Sequence, residues 1–278
     1  MDEEARALTT LTAEFRSLGV RSGQDLLAHS SLRAVGHVAG GAATVLRALR
    51  DAMGTTATLV VPAQTTLNSL SSDAFHAATA TMTQAQRADF IAAMPGFDPL
   101  STPSRGMGVL AELVRTSPGA ARSAHPQSSF AAVGSRAAQS MARHDLTCHL
   151  GEDSPLGWLY RADAAILLLG VGYDMCTAFH LAEYRLPGQP RQRDYRCVTA
   201  IGGVRHEHCF VDIELDDGDF SVLGDHIDDE PFVRHGRVGS AECRLMPIRA
   251  AVDVAASWPP FRQRRRRADQ LRGRRHER

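Results

Sequence analysis

Residues 167–184 read Leu-Leu-Leu-Gly-Val-Gly-Tyr-Asp-Met-Cys-Thr-Ala-Phe-His-Leu-Ala-Glu-Tyr. They continue an apolar run that begins at residue 164 and ends at Gly170, which is the form of a strand buried on both faces of a sheet. The two glycines of the segment predict a tight turn, followed by a helix that carries Thr177, His180 and Glu183. In open α/β sheets, ligands bind beyond the carboxyl ends of the strands. We therefore expect His180 to face a ligand cleft.

His180 and Glu183 are three residues apart, so in a helix they occupy neighbouring positions of one face. There the carboxylate can orient the imidazole and raise its basicity, as a general base requires. The alternative is that His180 only completes an amphipathic helix and bonds Glu183 across one turn. Spacing alone favours this structural interpretation, and the position after a buried strand gives the catalytic one equal weight, so both stay open at this point.

The chain has 278 residues, 44% of them hydrophobic, which suffices for a substantial core in one large domain or two small ones. No apolar run approaches the roughly 18 residues that cross a bilayer, and the first residues lack the order of a signal peptide. We therefore predict a cytoplasmic protein without a membrane partner.

The five cysteines are odd in number and include no Cys-x-x-Cys pair, which favours reduced thiols over a disulfide framework. His206 and His208 would share one face of a strand beside Cys209. Nothing nearby supplies further ligands, so we expect no metal.

The formal net charge is zero, but the charges are unevenly distributed. Residues 262–278 contain nine arginines and two acidic residues, so the chain before them has 22 basic and 29 acidic residues. An acidic body attracts cationic ligands by long-range steering. A basic tail can bind nucleic acid, but we expect residues 259–278 to be a dispensable, disordered end without a nucleic-acid partner.

The chain contains no lysine, so all 31 of its Lys and Arg positions are arginines. A Schiff-base lysine and the lysine of a phosphate-binding loop are both excluded, and with them pyridoxal enzymes and Walker-type nucleotide hydrolases. Any anionic group of a ligand must instead meet arginine.

Helical and strand patterns alternate early in the chain, and a more antiparallel pattern follows residue 190. We predict one α/β domain over residues 1–258, with a mixed central sheet flanked by helices. Predicted strands cover residues 25–29, 58–62, 130–134, 164–170, 197–201, 209–215 and 241–247, and predicted helices cover 10–18, 42–53, 84–93, 107–115, 137–144 and 249–258. Residues 64–105, hereafter the excursion, are polar and rich in turn residues, which is typical of a substrate loop or lid.

Two further segments place polar side chains at predicted strand ends. His-Ser-Ser at residues 29–31 ends the first strand, and a glycine-rich segment leads into a helix N-terminus that could bind anions or a pantetheine backbone. Arg122-Ser-Ala-His-Pro126 supplies an arginine, a serine and another histidine. Together these groups suit nucleophile activation with anion binding, although each segment alone could be a structural turn. Ser-His-Asp hydrolysis competes, but the chain has no Gly-x-Ser-x-Gly elbow, and its glycine spacing does not fit a dinucleotide fold.

Three ordered motifs resemble those of the aminoglycoside 3-N-acetyltransferase family. They are His29-Ser-Ser-Leu-x-x-Val-Gly, Arg122-Ser-x-His-Pro-x-x-Ser, and Leu-Leu-Gly-Val-Gly-x-Asp-x-x-Thr177-x-x-His180-x-x-Glu183-Tyr, joined by Asp153-Ser-Pro-Leu-Gly157 and Val211-Asp-Ile-Glu-Leu-Asp-Asp217. They span most of the chain and are specific in combination. The resemblance implies a fold unrelated to the GCN5 acetyltransferases, and we expect an actinomycete member. The arginine-rich end fits no part of the family pattern.

The resemblance implies transfer of an acetyl group from acetyl-coenzyme A to the 3-amino group of a 2-deoxystreptamine aminoglycoside, without a metal, as a means of antibiotic resistance. It implies that His180 is the general base, that Glu183 orients it or holds the substrate, and that His29 lies near the thioester. The residues implied at the coenzyme are Ser30, Ser31, Arg33, Val35, Gly36 and Ser123, and those implied at the aminoglycoside are Asp174, Thr177 and Glu183.

Two alternatives stay open. The same fold could acylate a different amine through a tighter, more apolar cleft, although Asp73, Asp89 and Asp98 in the excursion favour an aminoglycoside. A non-catalytic protein could instead sequester the cationic drug, with His180 and His29 as structural residues. The sequence also leaves the oligomeric state open between monomer and homodimer.

Overall fold

The computed structural model describes residues 3–188 and 190–261. The strands are β1 Leu26–Ser30, β2 Thr58–Pro62, β3 Ala121–Arg122, β4 Phe130–Gly134, β5 Ala165–Leu169, β6 Gln192–Ile201, β7 Val204–Ile213, β8 Arg234–Val238 and β9 Ala241–Pro247. The helices are α1 Glu3–Leu18, α2 Leu32–Val35, α3 Gly41–Met53, α4 Asp73–Thr79, α5 Gln84–Ala93, α6 Gly108–Arg115, α7 Ala137–Met141, α8 Pro155–Arg161, α9 Phe179–Arg185, α10 Phe220–Asp228 and α11 Ile248–Ser257, with a 3-10 turn at Tyr173–Met175.

Seven strands form the central sheet in the order β3-β4-β2-β1-β5-β9-β8. The central strand β1 is parallel to both β2 and β5, whereas the outer pairs are antiparallel. The register of β1 with β5 runs from Leu26↔Ala165 to Ser30↔Leu169, so the two strands end at the same edge of the sheet. The predicted α/β fold with a mixed central sheet and a more antiparallel C-terminal region is confirmed.

Each face of the sheet carries its own apolar core, because alternate residues of a strand point to opposite sides. On one face, Leu167 of β5 belongs to a core with residues of α1, α3 and α6. On the other face, Ile166 and Leu168 belong to a core with residues of α8, α9, α10 and α11. All five residues of β5 are buried, which explains why its sequence is continuously apolar rather than alternating.

Several elements begin or end at positions other than those predicted. The helix predicted over residues 137–144 ends at Met141, because the His144 ring turns inward and its Nδ1 lies 2.9 Å from Oγ of Ser123. Thr177 lies before α9, which begins only at Phe179. The helix that carries His180 is therefore shorter than the sequence pattern suggested.

The elements that the sequence prediction lacks are α2, α4, α8, α10, β3 and β8. One of them had a clear signal, since α8 begins with Pro155 in its first turn and Oγ of Ser154 accepts a hydrogen bond from the N–H of Leu156 (3.2 Å).

The excursion packs against the antiparallel hairpin of β6 and β7, which is separate from the central sheet. The N–H of Leu70 donates to the carbonyl of Arg196 (2.8 Å). The guanidinium of Arg122, at the edge of the central sheet, donates to the carbonyl of Ala63, directly before the excursion, and to that of Thr102, near its end, and so ties the excursion to β3. The excursion is therefore an ordered wall beside the carboxyl ends of the central strands.

The chain after α11 continues to pack on the core. Phe261 is 1% exposed, and its ring lies against those of Trp258 and Phe220. The packed domain therefore extends past residue 258, where the sequence prediction ends it, and residues 262–278 of the expected tail lie outside the described residues. Within residues 3–188 and 190–261, no helix has the length and apolar character needed to span a bilayer.

Candidate active site

A pocket of about 750 Å³ opens at the carboxyl ends of β1 and β5. Its walls come from the end of β1, the excursion, the N-terminus of α6, the 3-10 turn, α9, β6 and the start of α10. This is the edge at which α/β sheets bind ligands, and the volume falls within the usual range for small-molecule sites.

His180 and Glu183 form the hydrogen-bonded pair that their spacing predicts. Nδ1 of His180 lies 2.6 Å from Oε2 of Glu183, and the two side chains are 12% and 11% exposed. His180 lines the pocket, whereas Glu183 lies behind it and accepts a hydrogen bond at Oε1 from the N–H of Asp216 (3.0 Å). The Phe220 ring, also in the pocket wall, lies 4.7 Å from the imidazole between centroids. With Nδ1 bound to the carboxylate, Nε2 is the ring nitrogen that can take a proton from an occupant of the pocket.

His29 and Thr177 join the end of β1 to the turn before α9. Nε2 of His29 lies 3.3 Å from Oγ1 of Thr177, and both residues line the pocket. Burial lowers the pKa of His29 to about 4, so its ring is neutral near pH 7. A neutral ring of this kind can donate or accept a hydrogen bond but is a weak base.

The residues implied at the coenzyme fall into two groups. Ser30, Ser31 and Arg33 line the pocket, whereas Val35, Gly36 and Ser123 do not. Val35, the last residue of α2, is buried in the core, and Ser123 is buried with its Oγ accepting a hydrogen bond from the N–H of Phe130 (2.9 Å). Gly36 follows α2 with a φ of 85°. These three residues can influence a ligand only through the segments that they shape.

Carboxylates and guanidinium groups share the pocket walls. Asp73, Asp174 and Asp217 line the pocket, as do Arg33 and Arg193. The lining therefore holds three carboxylates and two guanidinium groups, a balance that suits a cationic ligand.

Two acidic residues of the excursion that favoured an aminoglycoside cleft, Asp89 and Asp98, lie outside the pocket lining. Asp98 instead accepts hydrogen bonds from the N–H of Leu100 and the hydroxyl of Ser101 (2.9 Å each), which lower its pKa. Its carboxylate holds a turn of the excursion.

His125, from the second motif, also lies outside the pocket lining. Its Nδ1 accepts hydrogen bonds from the N–H groups of Gln127 (3.2 Å) and Ser128 (3.1 Å), and Nε2 faces the carbonyl of Leu146 (3.1 Å). Burial lowers its pKa well below the usual range. Of the three histidines predicted to converge, the structure therefore brings His29 and His180 to the pocket.

Sequence reasoning missed a second histidine–carboxylate pair. His149 lines the pocket, and its Nδ1 lies 2.7 Å from Oδ2 of Asp212 on β7, which is 63 residues away in the chain. Burial by itself raises the pKa of Asp212, but the hydrogen bonds from His149, Tyr184 and the N–H of Ile213 together outweigh this and lower it. No local spacing indicates such a pair, and the only signal is that Asp212 belongs to the C-terminal motif. Gln127 and Tyr195 are further lining residues that the sequence did not suggest.

In the described part of the chain, no group of three or more His, Cys, Asp or Glu side chains is arranged to hold a metal ion. His208, one of the histidines considered for zinc, has its Nε2 2.8 Å from Oγ1 of Thr199 on the neighbouring strand.

The sequence profile of the family described as aminoglycoside 3-N-acetyltransferase matches residues 27–259. The chain belongs to this family. The resemblance seen in the ordered motifs is thereby confirmed, and the chain is an acyltransferase of the aminoglycoside 3-N-acetyltransferase family.

Relatives match along nearly the whole chain. One is the SPbeta prophage-derived aminoglycoside N(3')-acetyltransferase-like protein YokD of Bacillus subtilis (strain 168), 35% identical over 254 residues, which are 91% of this chain and 92% of the relative. Another is aminoglycoside N(3)-acetyltransferase VII of Streptomyces paromomycinus, 34% identical over 266 residues, with 90% of each chain covered.

Solved structures share the fold. The crystal structure of YokD superimposes with a TM-score of 0.84 at 34% identity, covering 90% of this chain and 92% of that one. AAC-IIIb in a binary complex with CoASH gives 0.78 at 27% identity, covering 90% and 95%. AAC-VIa bound to sisomicin gives 0.78 at 31% identity, covering 90% and 96%.

Proposed function

We propose that this protein transfers an acetyl group from acetyl-coenzyme A to the 3-amino group of a 2-deoxystreptamine aminoglycoside, and so confers resistance to the antibiotic. The observation that carries the proposal is the His180–Glu183 pair, with Nδ1 and Oε2 2.6 Å apart, in the wall of a pocket of about 750 Å³. Family membership supports the reaction class. The related structures that contain coenzyme A or sisomicin support the donor and the acceptor.

His180 acts as the general base in this reaction. Its Nε2 takes a proton from the amine, directly or through water, as the amine nitrogen attacks the carbonyl carbon of the thioester. The C–N bond forms, the C–S bond breaks, and coenzyme A leaves as a thiolate that recovers the proton. Glu183 holds the imidazole in the required tautomer and stabilises its positive charge. Because Glu183 lies behind His180, we assign it this orienting role in preference to direct contact with the substrate.

His29 acts as a hydrogen-bonding group near the thioester. Its lowered pKa leaves the ring neutral, which suits hydrogen bonding better than proton abstraction. The hydroxyls of Ser30, Ser31 and Thr177 line the same part of the pocket and are available to the developing oxyanion.

We assign the coenzyme to the side of the pocket formed by residues 30–33 and the N-terminus of α6. The N-terminal end of a helix attracts anions, and residues 106–109 at this end line the pocket. Arg33 is exposed beside them and can meet a phosphate group in a chain that has no lysine.

We assign the aminoglycoside to the side formed by the excursion, the 3-10 turn and the start of α10. Asp174 is exposed there and can bind a second ammonium group of the acceptor, with Asp73 and Asp217 in the same lining. Thr177 lies between this side and His29 and can contact either substrate.

A second candidate is acylation of a different, less cationic amine by the same groups. Arg193 favours it, because this guanidinium lines the pocket and donates to the carbonyl of Ser71 (2.6 Å), where it would repel a polycation. The two candidates differ only in the acceptor.

The test is release of free thiol from acetyl-coenzyme A with a panel of 2-deoxystreptamine aminoglycosides and smaller amines, using the wild type and His180→Ala. We expect release with aminoglycosides by the wild type, loss of release in the variant, and one new acetyl group at N3 by NMR. Release with smaller amines alone would favour the second candidate. Tight drug binding without turnover would indicate a sequestering protein, and absence of coenzyme binding would contradict acetyl transfer.

A further inference from the structure

His149 lies in the wall of the same pocket and is paired with Asp212, which is outside the lining, and neither residue has a part in the steps given above. The backbone N–H and Nδ1 of His149 both lie 2.7 Å from Oδ2 of Asp212. The two side chains are 6% and 4% exposed. A buried polar network is stable only when each of its polar groups has a hydrogen-bond partner. This pair therefore fixes the loop before α8, which carries His149, relative to β7, which carries Asp212.

Asp212 connects the pair to α9. The Tyr184 hydroxyl donates to the same Oδ2 (2.7 Å), and the N–H of Ile213 donates to Oδ1 (2.7 Å). Tyr184 follows Glu183 directly in the helix, so a shift of its hydroxyl would shift the catalytic pair. Its ring also packs on Gly151, where an added Cβ would come within 2.5 Å of a ring atom. Packing on Gly151 therefore fixes the position of the Tyr184 ring, and the hydrogen bond to Asp212 fixes the position of its hydroxyl.

The other ring nitrogen of His149 connects the pair to the excursion. Nε2 lies 3.0 Å from Oε1 of Gln127, whose amide Nε2 donates to Oγ of Ser69 (2.6 Å) and of Ser71 (3.2 Å). The Tyr195 ring has its centroid 4.2 Å from that of His149. The residues that contact His149 directly or through Gln127 all line the pocket on the side assigned to the acceptor, and they are Gln127, Ser69, Ser71 and Tyr195.

We propose that His149 is a positioning residue for the amine acceptor. It holds Gln127 and the serines of the excursion as one wall, and through Asp212 and Tyr184 it keeps that wall in register with His180. This inference rests on the proposed function, and it assigns no proton transfer to His149. The contacts described do not include residues 30–33, so recognition of the coenzyme should be independent of them.

The test compares steady-state kinetics of His149→Gln and Tyr184→Phe with those of the wild type. We expect His149→Gln to raise KM for the aminoglycoside by about tenfold or more and to change KM for acetyl-coenzyme A by less than about twofold, because small displacements of positioning groups have large effects. Tyr184→Phe removes only the hydroxyl that reaches Asp212, so it should lower kcat by about 3–10-fold with a smaller change in either KM. The matched control is His226→Gln, which changes an exposed residue of α10 outside the pocket lining and should equal the wild type.

A KM value does not depend on the fraction of enzyme that is folded, so partial unfolding cannot mimic the expected result. Unchanged KM values in His149→Gln, or a parallel rise in both, would overturn the inference. Failure of the proposed function is visible separately, because the wild type would then release no thiol with any amine. In that case calorimetric binding of sisomicin to the wild type and to His149→Gln makes the same comparison. Equal affinities, or no binding to the wild type, would overturn the inference.

Discussion

Two histidines in the wall of one pocket are each paired with a carboxylate, but the chain brings the members of the two pairs together in different ways. His180 and Glu183 are three residues apart on α9, whereas His149 and Asp212 are 63 residues apart and come from a loop and from β7. The nitrogen–oxygen distances are nearly equal, at 2.6 Å and 2.7 Å. The same chemical pair can thus arise from the geometry of one helix or from tertiary packing.

The surroundings of the two pairs indicate different tasks. Nε2 of His149 faces the Gln127 amide, so both ring nitrogens of this histidine have partners within the protein. His180 bonds Glu183 through Nδ1 and borders the pocket, where Nε2 can meet a substrate. The partner of the second ring nitrogen, more than the carboxylate, therefore distinguishes a base from a positioning residue.

The largest expected effect concerns turnover by the first pair. Glu183→Gln should lower kcat by about 10–150-fold, because hydrogen bonds to charged groups contribute about 1.5–3 kcal/mol.

His180→Ala should lower kcat by about 10²–10⁴-fold, and adding Glu183→Gln should cause no further loss, since Glu183 acts through the His180 ring. The double variant of His180→Ala and His149→Gln should instead show a loss in kcat/KM equal to the product of the two single-variant losses. Thiol-release kinetics of the single and double variants measure these couplings, and multiplying effects within the first pair would show that Glu183 acts independently of His180.

A change in stability, and not in turnover, is expected from buried histidines that have no hydrogen-bonded carboxylate. Burial lowers the pKa of His29 and of His144 to about 4, whereas both titrate near 6.5 in the unfolded chain. Between these values the unfolded state binds more protons, so each of these two histidines should lower the free energy of unfolding by about 3 kcal/mol as the pH drops from about 6.5 to about 4, and its contribution should level off below.

Denaturant unfolding at about pH 7 and about pH 4.5 measures this loss. The control is His144→Gln, which removes one of these buried histidines and should therefore lose less stability over the same interval. Equal losses in the wild type and the variant would show that His144 does not contribute.

The smallest expected effect concerns the exposed carboxylate Asp174. Exposed ion pairs contribute about 0.2–1 kcal/mol, so Asp174→Asn should raise KM for an aminoglycoside by at most about fivefold, and by less at high salt. The value of kcat should not change. Steady-state kinetics at two salt concentrations provide the check. An unchanged KM at low salt would favour the less cationic acceptor that Arg193 also suits.

Local sequence patterns predicted the parts of the molecule that local geometry determines. The apolar run at residues 164–170 predicted β5, because five consecutive buried positions require a continuous run. The spacing of His180 and Glu183 predicted their hydrogen bond, because helical residues three apart are neighbours. The order of the motifs was sufficient to identify the family.

The parts that the sequence did not predict depend on contacts between distant segments. His149 and Asp212 meet only because the β6–β7 hairpin packs against the loop before α8, and no spacing encodes that contact. His125 was expected in the site, but its Nδ1 is used by the backbone of its own loop. The helix α10 was missed because its acidic residues resemble a loop, although Phe220 and Leu223 lie at helical spacing and are buried.

Chemical rescue of His180→Ala by imidazole tests the role of His180 most directly. We predict that kcat for thiol release is about 10²–10⁴-fold lower in this variant and rises with the concentration of added imidazole base, whereas His149→Gln gains nothing from imidazole. A His180→Ala enzyme that turns over at the wild-type rate without imidazole would contradict the assignment of His180 as the general base.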